Sequence, residues 1–129
     1  DSHLEKFNNE RVYEFAITDK ITGTLYGAIA LTNIRSFRHG ELGYWIGEDY
    51  WGNGYATEAA EAMLKFGFFE KDYHRIFARH FLSNPASGKV LPKIGMKKEG
   101  IFREHVIKDE EYKDLAFYGI LKSEYKLNG

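Results

Sequence analysis

A chain of 129 residues, 43% hydrophobic and 16% aromatic, suits one domain with a sizeable core. A net charge of −1 does not indicate a dedicated nucleic-acid or anionic-membrane binder, and the lack of cysteine removes a disulfide framework, a thiolate metal site and a thiol nucleophile together. No apolar run approaches the roughly 18 residues of a membrane-spanning helix and no leader pattern opens the chain, so a soluble cytoplasmic protein is the default expectation.

Val12–Asp19 alternates Tyr13, Phe15 and Ile17 against Glu14, Ala16 and Thr18, the period of a half-buried strand. A turn at Asp19-Lys20-Ile21-Thr22-Gly23 and a second strand over Leu25–Ile34 complete a hairpin. After a turn at Ser36-Phe37-Arg38-His39-Gly40, a strand is expected over 41–46. Then comes Tyr50-Trp51-Gly52-Asn53-Gly54-Tyr55-Ala56-Thr57-Glu58-Ala59, followed by a helical pattern over 56–70. On that helix Glu58, Glu61 and Lys65 share a narrow stripe, and the remainder is small or apolar, which predicts broad packing on a sheet. Arg75–Phe81 reads as a strand. Asn84 and Pro85 mark the start of a short helix ending at Gly95, with Pro92 predicting a kink or an early end. Segments 101–107 and 112–121 form a last hairpin around the solvated tip Lys108-Asp109-Glu110-Glu111. The order indicates a mixed sheet with helices rather than a doubly wound one.

Strand, glycine turn, helix is how a backbone builds an anion cradle. Glycines remove Cβ atoms so that consecutive N–H groups can approach a phosphate, and the helix N-terminus adds a favourable dipole. Gly52-Asn53-Gly54 lacks the Lys-Ser/Thr of a nucleoside-triphosphate loop and the third glycine of a dinucleotide fingerprint. By itself it reads first as a glycine turn capping a helix, and only second as a cradle.

Its surroundings carry more. Trp51-Gly52-Asn53-Gly54-Tyr55-Ala56 resembles motif A of the GNAT superfamily of acetyl-CoA-dependent N-acetyltransferases, with Trp51 where Gln or Arg is usual. That departure resembles the ribosomal-protein N-terminal (RimJ/RimL-like) acetyltransferase branch. Asn84-Pro85-Ala86-Ser87-Gly88-Lys89-Val90-Leu91-Pro92-Lys93-Ile94-Gly95-Met96 and Gly40-Glu41-Leu42-Gly43-Tyr44-Trp45-Ile46 are similar to two further blocks of that branch. The resemblance covers nearly all of residues 12–121. It implies an α/β (α+β mixed) GNAT fold in a single domain over 1–129: a mostly antiparallel central sheet, splayed at the cofactor cleft, with flanking helices. Only eleven residues precede Val12 where family members carry a further strand and helical region, so the N-terminal part is expected to be short and the acceptor site less complete.

Acetyl transfer from a thioester to an amine requires the CoA pyrophosphate to be held, the carbonyl polarised, the amine deprotonated and the leaving thiolate protonated. The resemblance implies backbone N–H groups of Gly52, Asn53, Gly54, Tyr55 and Ala56, extended by Thr57, for the first task. For the second it implies an N–H on the strand Trp45, Ile46, Gly47. Core packing is expected of the Trp45 and Trp51 side chains themselves. Met96 stands where a Tyr often serves as acid, and Met cannot give a proton. Ser87 is the substitute the branch suggests, with Tyr118 and water as alternatives, while support of the helix start is an equally open role for Ser87. Asn84 is foremost a cap, and also a candidate contact to the pantetheine arm. Glu41 matches the acidic residue of related N-terminal acetyltransferases and is the candidate base through water, or else a solvated carboxylate at a strand start. His39, His74, His80 and His105 are expected at the surface or satisfied in the core; none has metal-site spacing, and no metal is expected.

The function expected is acetyl transfer from acetyl-CoA to a primary amine, preferably a protein N-terminal α-amine. A small-molecule amine (polyamine, amino sugar, amino acid) and a non-catalytic CoA-binding module are the alternatives. No nucleic-acid or membrane partner is expected, and oligomeric state stays open, a homodimer included.

Overall fold

The computed structural model describes the backbone of residues 2–7, 12–34 and 37–128, and the side chains of 12–34, 37–84 and 88–125. Strands β1 (Ser2–Phe7), β2 (Val12–Asp19), β3 (Leu25–Ile34) and β4 (His39–Ile46) come first. Helix α1 (Tyr55–Lys65) runs on as a wider π-helical turn over Phe66–Glu70, together spanning the stretch expected to be one helix. Strand β5 (Arg75–Phe81), helix α2 (Pro85–Lys93), strands β6 (Lys97–Lys108) and β7 (Glu111–Leu121), and helix α3 (Lys122–Asn128) complete the chain. All seven strands form one sheet in the order β1-β2-β3-β4-β5-β7-β6.

Local chemistry sets the hairpins. Asp19 accepts the N–H groups of Ile21 and Thr22 through one carboxylate oxygen, both at 2.8 Å, and the Tyr26 hydroxyl through the other at 2.6 Å. Those bonds stabilise the charged form and hold the carboxyl well below the usual range. At the β6–β7 tip, Asp109 and Glu110 both take positive φ, +53° and +65°, the pairing of signs that matches hairpin twist. Pro92 produces an early end rather than a kink: it sits in the last turn of α2, which stops at Lys93 before Gly95 turns the chain at φ +93°. Neither β1 nor α3 has a counterpart in the sequence reading. A six-residue run becomes a strand because the edge of β2 offers a ladder from Ser2↔Asp19 to Phe7↔Glu14, and α3 is started by the Glu124 carboxylate accepting the Leu121 N–H at 2.9 Å.

One core cluster joins Ile17, Ile29, Leu31 and Leu42 of β2–β4, Ile76 and Ala78 of β5, Met63, Leu64 and Phe68, and Leu91, Ile94 and Met96. Both α1 and α2 therefore cover the same face of the sheet. The alternation of side chains along the strands puts Glu41, Phe77, Arg79 and Phe117 on the opposite face.

Candidate active site

Among the described residues only β4 and β5 run parallel, and they pair for just three residues: His39↔Arg75, Gly40↔Ile76 and Glu41↔Phe77. Beyond Glu41 the strands part. β4 stays on β3 as far as Ile46↔Gly27, while β5 stays on β7 as far as Phe81↔Leu115. The sheet thus opens into a V whose vertex is Glu41.

A cleft of about 480 Å³ lies in this opening, lined by Tyr44, Trp45 and Ile46 on one side and Asn84, Lys89, Val90 and Lys93 on the other. Gly52, Gly54, Tyr55, Ala56 and Thr57 form its floor. Gly52 and Gly54 have φ of +80° and +79°, a backbone that L side chains rarely adopt, and nothing stands within 4 Å of where a Cβ would lie at either. Gly54 is the N-cap of α1 and no side chain caps that helix. Glu58 gives the first intrahelical bond, to the Gly54 carbonyl at 3.0 Å, so the N–H groups of the first turn have no partner within the helix. An open glycine shelf, an uncapped helix start and two lysines, with no acidic side chain in the lining, suit a polyphosphate.

The split also sorts the N–H groups of β4. Gly47 N–H donates to the Tyr26 carbonyl at 2.8 Å, towards β3. Strand alternation turns the backbone groups of Ile46 the other way, into the opening. The Ile46 carbonyl there accepts the Trp51 indole N–H at 2.8 Å. Of the three residues expected to polarise an acyl oxygen, Ile46 is thus the one whose N–H faces the cleft.

The tryptophans are not in the core: Trp45 and Trp51 are 55% and 60% exposed. Trp45 emerges on the face without helices, and Trp51 is held outside by its bond to β4, so both wall the cleft. Asn53 does not line it; its amide donates to the Tyr50 carbonyl at 3.1 Å, bracing the glycine turn. Asn84 holds the N-cap position of α2 but makes no side-chain capping bond. Its side chain is exposed and borders the cleft. Ser87 falls in the first turn of α2, and its side chain lies outside the described residues; Ser36 lies outside them altogether. Tyr118 packs on the helix side, 5.7 Å from the His80 ring, and does not line the cleft.

Glu41 is not simply solvated. Arg79 of β5 donates through Nε to one of its carboxylate oxygens at 2.7 Å, an ion pair across the vertex of the V. Next to Arg79, His80 donates through Nδ1 to the Phe81 carbonyl at 2.8 Å, and its Nε2 lies under α2, where a Cβ on Gly88 would come within 2.6 Å.

Lys89, Lys93 and Tyr44 were not singled out from sequence. The lysines are four apart on α2, a spacing that puts both on one helix side, though only the fold shows that this side faces Gly52–Gly54. Burial pushes the Tyr44 hydroxyl up to about 12, so it enters the cleft as a protonated phenol. Among the described residues no cluster of His, Asp or Glu could hold a metal.

The chain belongs to the acetyltransferase (GNAT) domain family, which it matches over residues 1–97. It is similar to the [ribosomal protein uS5]-alanine N-acetyltransferase of Escherichia coli, 29% identical over 104 residues that make up 79% of this chain and 54% of the relative. A GNAT-family acetyltransferase from Bacillus anthracis superposes with a TM-score of 0.80 at 34% identity, covering 85% of this chain and 66% of that one. Mutant forms of the spermidine/spermine N-acetyltransferase SpeG from Vibrio cholerae superpose at 0.84 with 23% identity, over 95% of this chain and 74% of theirs, a likeness of fold. The chain spans about half to two-thirds of the length of the curated relatives it matches.

Proposed function

We propose that this chain is an N-acetyltransferase that transfers the acetyl group of acetyl-CoA to a primary amine, with a protein N-terminal α-amine as the preferred acceptor. The observation that carries the reading is the V between β4 and β5, with a glycine floor suited to a polyphosphate at one end and a carboxylate at its vertex. The acceptor preference is supported by the similarity to the uS5-alanine enzyme.

Acetyl-CoA supplies an activated acyl group as a thioester. The chain contributes binding, orientation and proton handling. The first-turn N–H groups of α1 hold the pyrophosphate, aided by Lys89 and Lys93. The walls formed by Trp45, Trp51 and Val90 keep the arm of the cosubstrate along the opening. The Ile46 N–H is the donor available to polarise an acyl oxygen. Glu41, held by Arg79, accepts a proton relayed by water from the acceptor ammonium. An α-ammonium titrates near 7.7–8.0 against about 10.4 for Lys, so the former asks less of such a base. Ser87 at the start of α2 and Tyr44 in the cleft wall are the groups to protonate the departing sulfur.

The test is a thiol-release assay on peptides with a free or a blocked N-terminus, each carrying an internal Lys, followed by mass spectrometry. Acetylation is expected on the free α-amine. Exclusive acetylation of Lys in the blocked peptide would overturn the acceptor assignment, and CoA binding without turnover on any amine would favour a non-catalytic module.

A further inference from the structure

A second cavity, of about 350 Å³, adjoins the cleft at the C-terminal end of β5. Asn84 lines both, and Arg79 links the second to the vertex carboxylate. Its other walls are His80, Phe81, Val106, Lys108 and Leu115, so it mixes apolar side chains with two cationic ones and has no acidic side chain.

Three of the acids nearby have partners of their own. Glu41 faces Arg79. Glu111, the register partner of Lys108, accepts from Lys113 at 2.8 Å. Asp114 accepts the Glu104 N–H at 2.7 Å. Among the described residues no carboxylate lies within ion-pair distance of Lys108, whose ammonium sits instead 4.7 Å from the centre of the Phe81 ring. Arg79 uses only its Nε on Glu41, leaving the two terminal nitrogens of its fork directed elsewhere. The cavity beside the reacting end of the cleft is thus poised for a negative charge, and an acceptor with several ammonium groups would meet like charge there.

We infer that this cavity is the acceptor subsite and that it selects amines carrying an anionic group close to the amine, held by Lys108 and the free end of the Arg79 fork. This rests on the acetyltransferase reading and narrows it. The shared chemistry is a carboxylate or other oxyanion near an α-amine, as in a peptide whose first residues are acidic or in a free amino acid. Polyamines are selected against.

The experiment compares four acceptors under one acetyl-CoA concentration: a peptide with acidic second and third residues, the same peptide with serines there, a free α-amino acid and spermidine. The acidic peptide should exceed the serine peptide in kcat/KM by about tenfold, mostly through KM, the size of one good charge-assisted contact. The free amino acid, measured against its amide, shows whether an α-carboxylate serves as well as a side chain. Lys108→Glu should reverse the order of the acidic peptide and spermidine while CoA affinity, measured by calorimetry, stays within twofold. Binding of the acetylated acidic peptide to the protein without CoA should weaken in parallel, a readout independent of turnover. Spermidine used as well as or better than the acidic peptide by the unaltered protein, or an unchanged order in a Lys108→Glu protein that still binds CoA, would overturn the inference and leave the acetyltransferase reading standing. Absence of both CoA binding and turnover would overturn the two together.

Discussion

The two cavities that meet at Asn84 are built from different materials. What sets the larger apart is the backbone beneath its side-chain walls: positive-φ glycines, an uncapped helix start and a strand edge opened by the divergence of β4 from β5. The smaller is made of side chains from Arg79, His80, Phe81 and Lys108. Backbone recognition suits a ligand part that never changes, because any side chain of compatible conformation preserves it. Side-chain recognition suits a part that must be discriminated, because a single substitution redefines it.

The sharpest way to break the backbone-built cavity is Gly54→Val. A Cβ there meets no protein atom within 4 Å and stands in the open space beside the shelf where the pyrophosphate is proposed to lie, and φ +79° penalises a β-branched residue further. CoA affinity should fall by a hundredfold or more, on the order of 3 kcal/mol. Calorimetric titration of a folded variant with undiminished affinity would remove the glycine shelf from the site.

Glu41→Gln attacks the vertex of the V, which Arg79 links to the smaller cavity, and should lower the plateau of kcat/KM on the order of 10²-fold, leaving CoA affinity alone. For an α-amine acceptor the profile should rise with pH and level near about 8, with much of the loss recovered at higher pH, where free amine is abundant. A lysine-like acceptor would keep gaining towards about pH 10. Wild-type rates at every pH would take Glu41 out of the mechanism.

A smaller effect separates charge from backbone within the larger cavity. Lys89→Ala with Lys93→Ala should weaken CoA several-fold, with a loss that shrinks at high salt because both ammonium groups are solvent-facing. Gly54→Val should show no such salt dependence, and equal salt responses would erase the distinction.

The smallest effect lies outside both cavities, in the β2–β3 turn. The Asp19 carboxyl has a folded pKa depressed from its ordinary 3.8 by the Tyr26 hydroxyl and two turn N–H groups. Its stabilisation is therefore complete above about pH 4 and is lost as pH falls further towards the native value. Melts between acid and neutral pH should show Asp19→Asn less stable near neutrality and converging with the parent at low pH, with CoA affinity intact.

Much of the molecule can be read from local patterns. The hairpin β2–β3 and strand β5 occupy the ranges expected, because alternation and turn residues act over a few positions. Gly52, Gly54 and the helix after them spell out the cradle proposed for the pyrophosphate, since its torsions and dipole are properties of about ten consecutive residues. Whether Glu41 faces a cation, where Lys89 and Lys93 point and why Trp45 and Trp51 stay exposed depend on residues distant in sequence. Arg79 reaches Glu41 across 38 positions because β5 pairs with β4 for three residues and then leaves it. That divergence also creates the space in which two helix lysines, a strand N–H and a glycine turn can meet. Local sequence determined the parts proposed to bind through their own backbone; the tertiary structure decided the parts whose partners are supplied by another strand, because charge pairing and cavity walls require groups that no local pattern brings together.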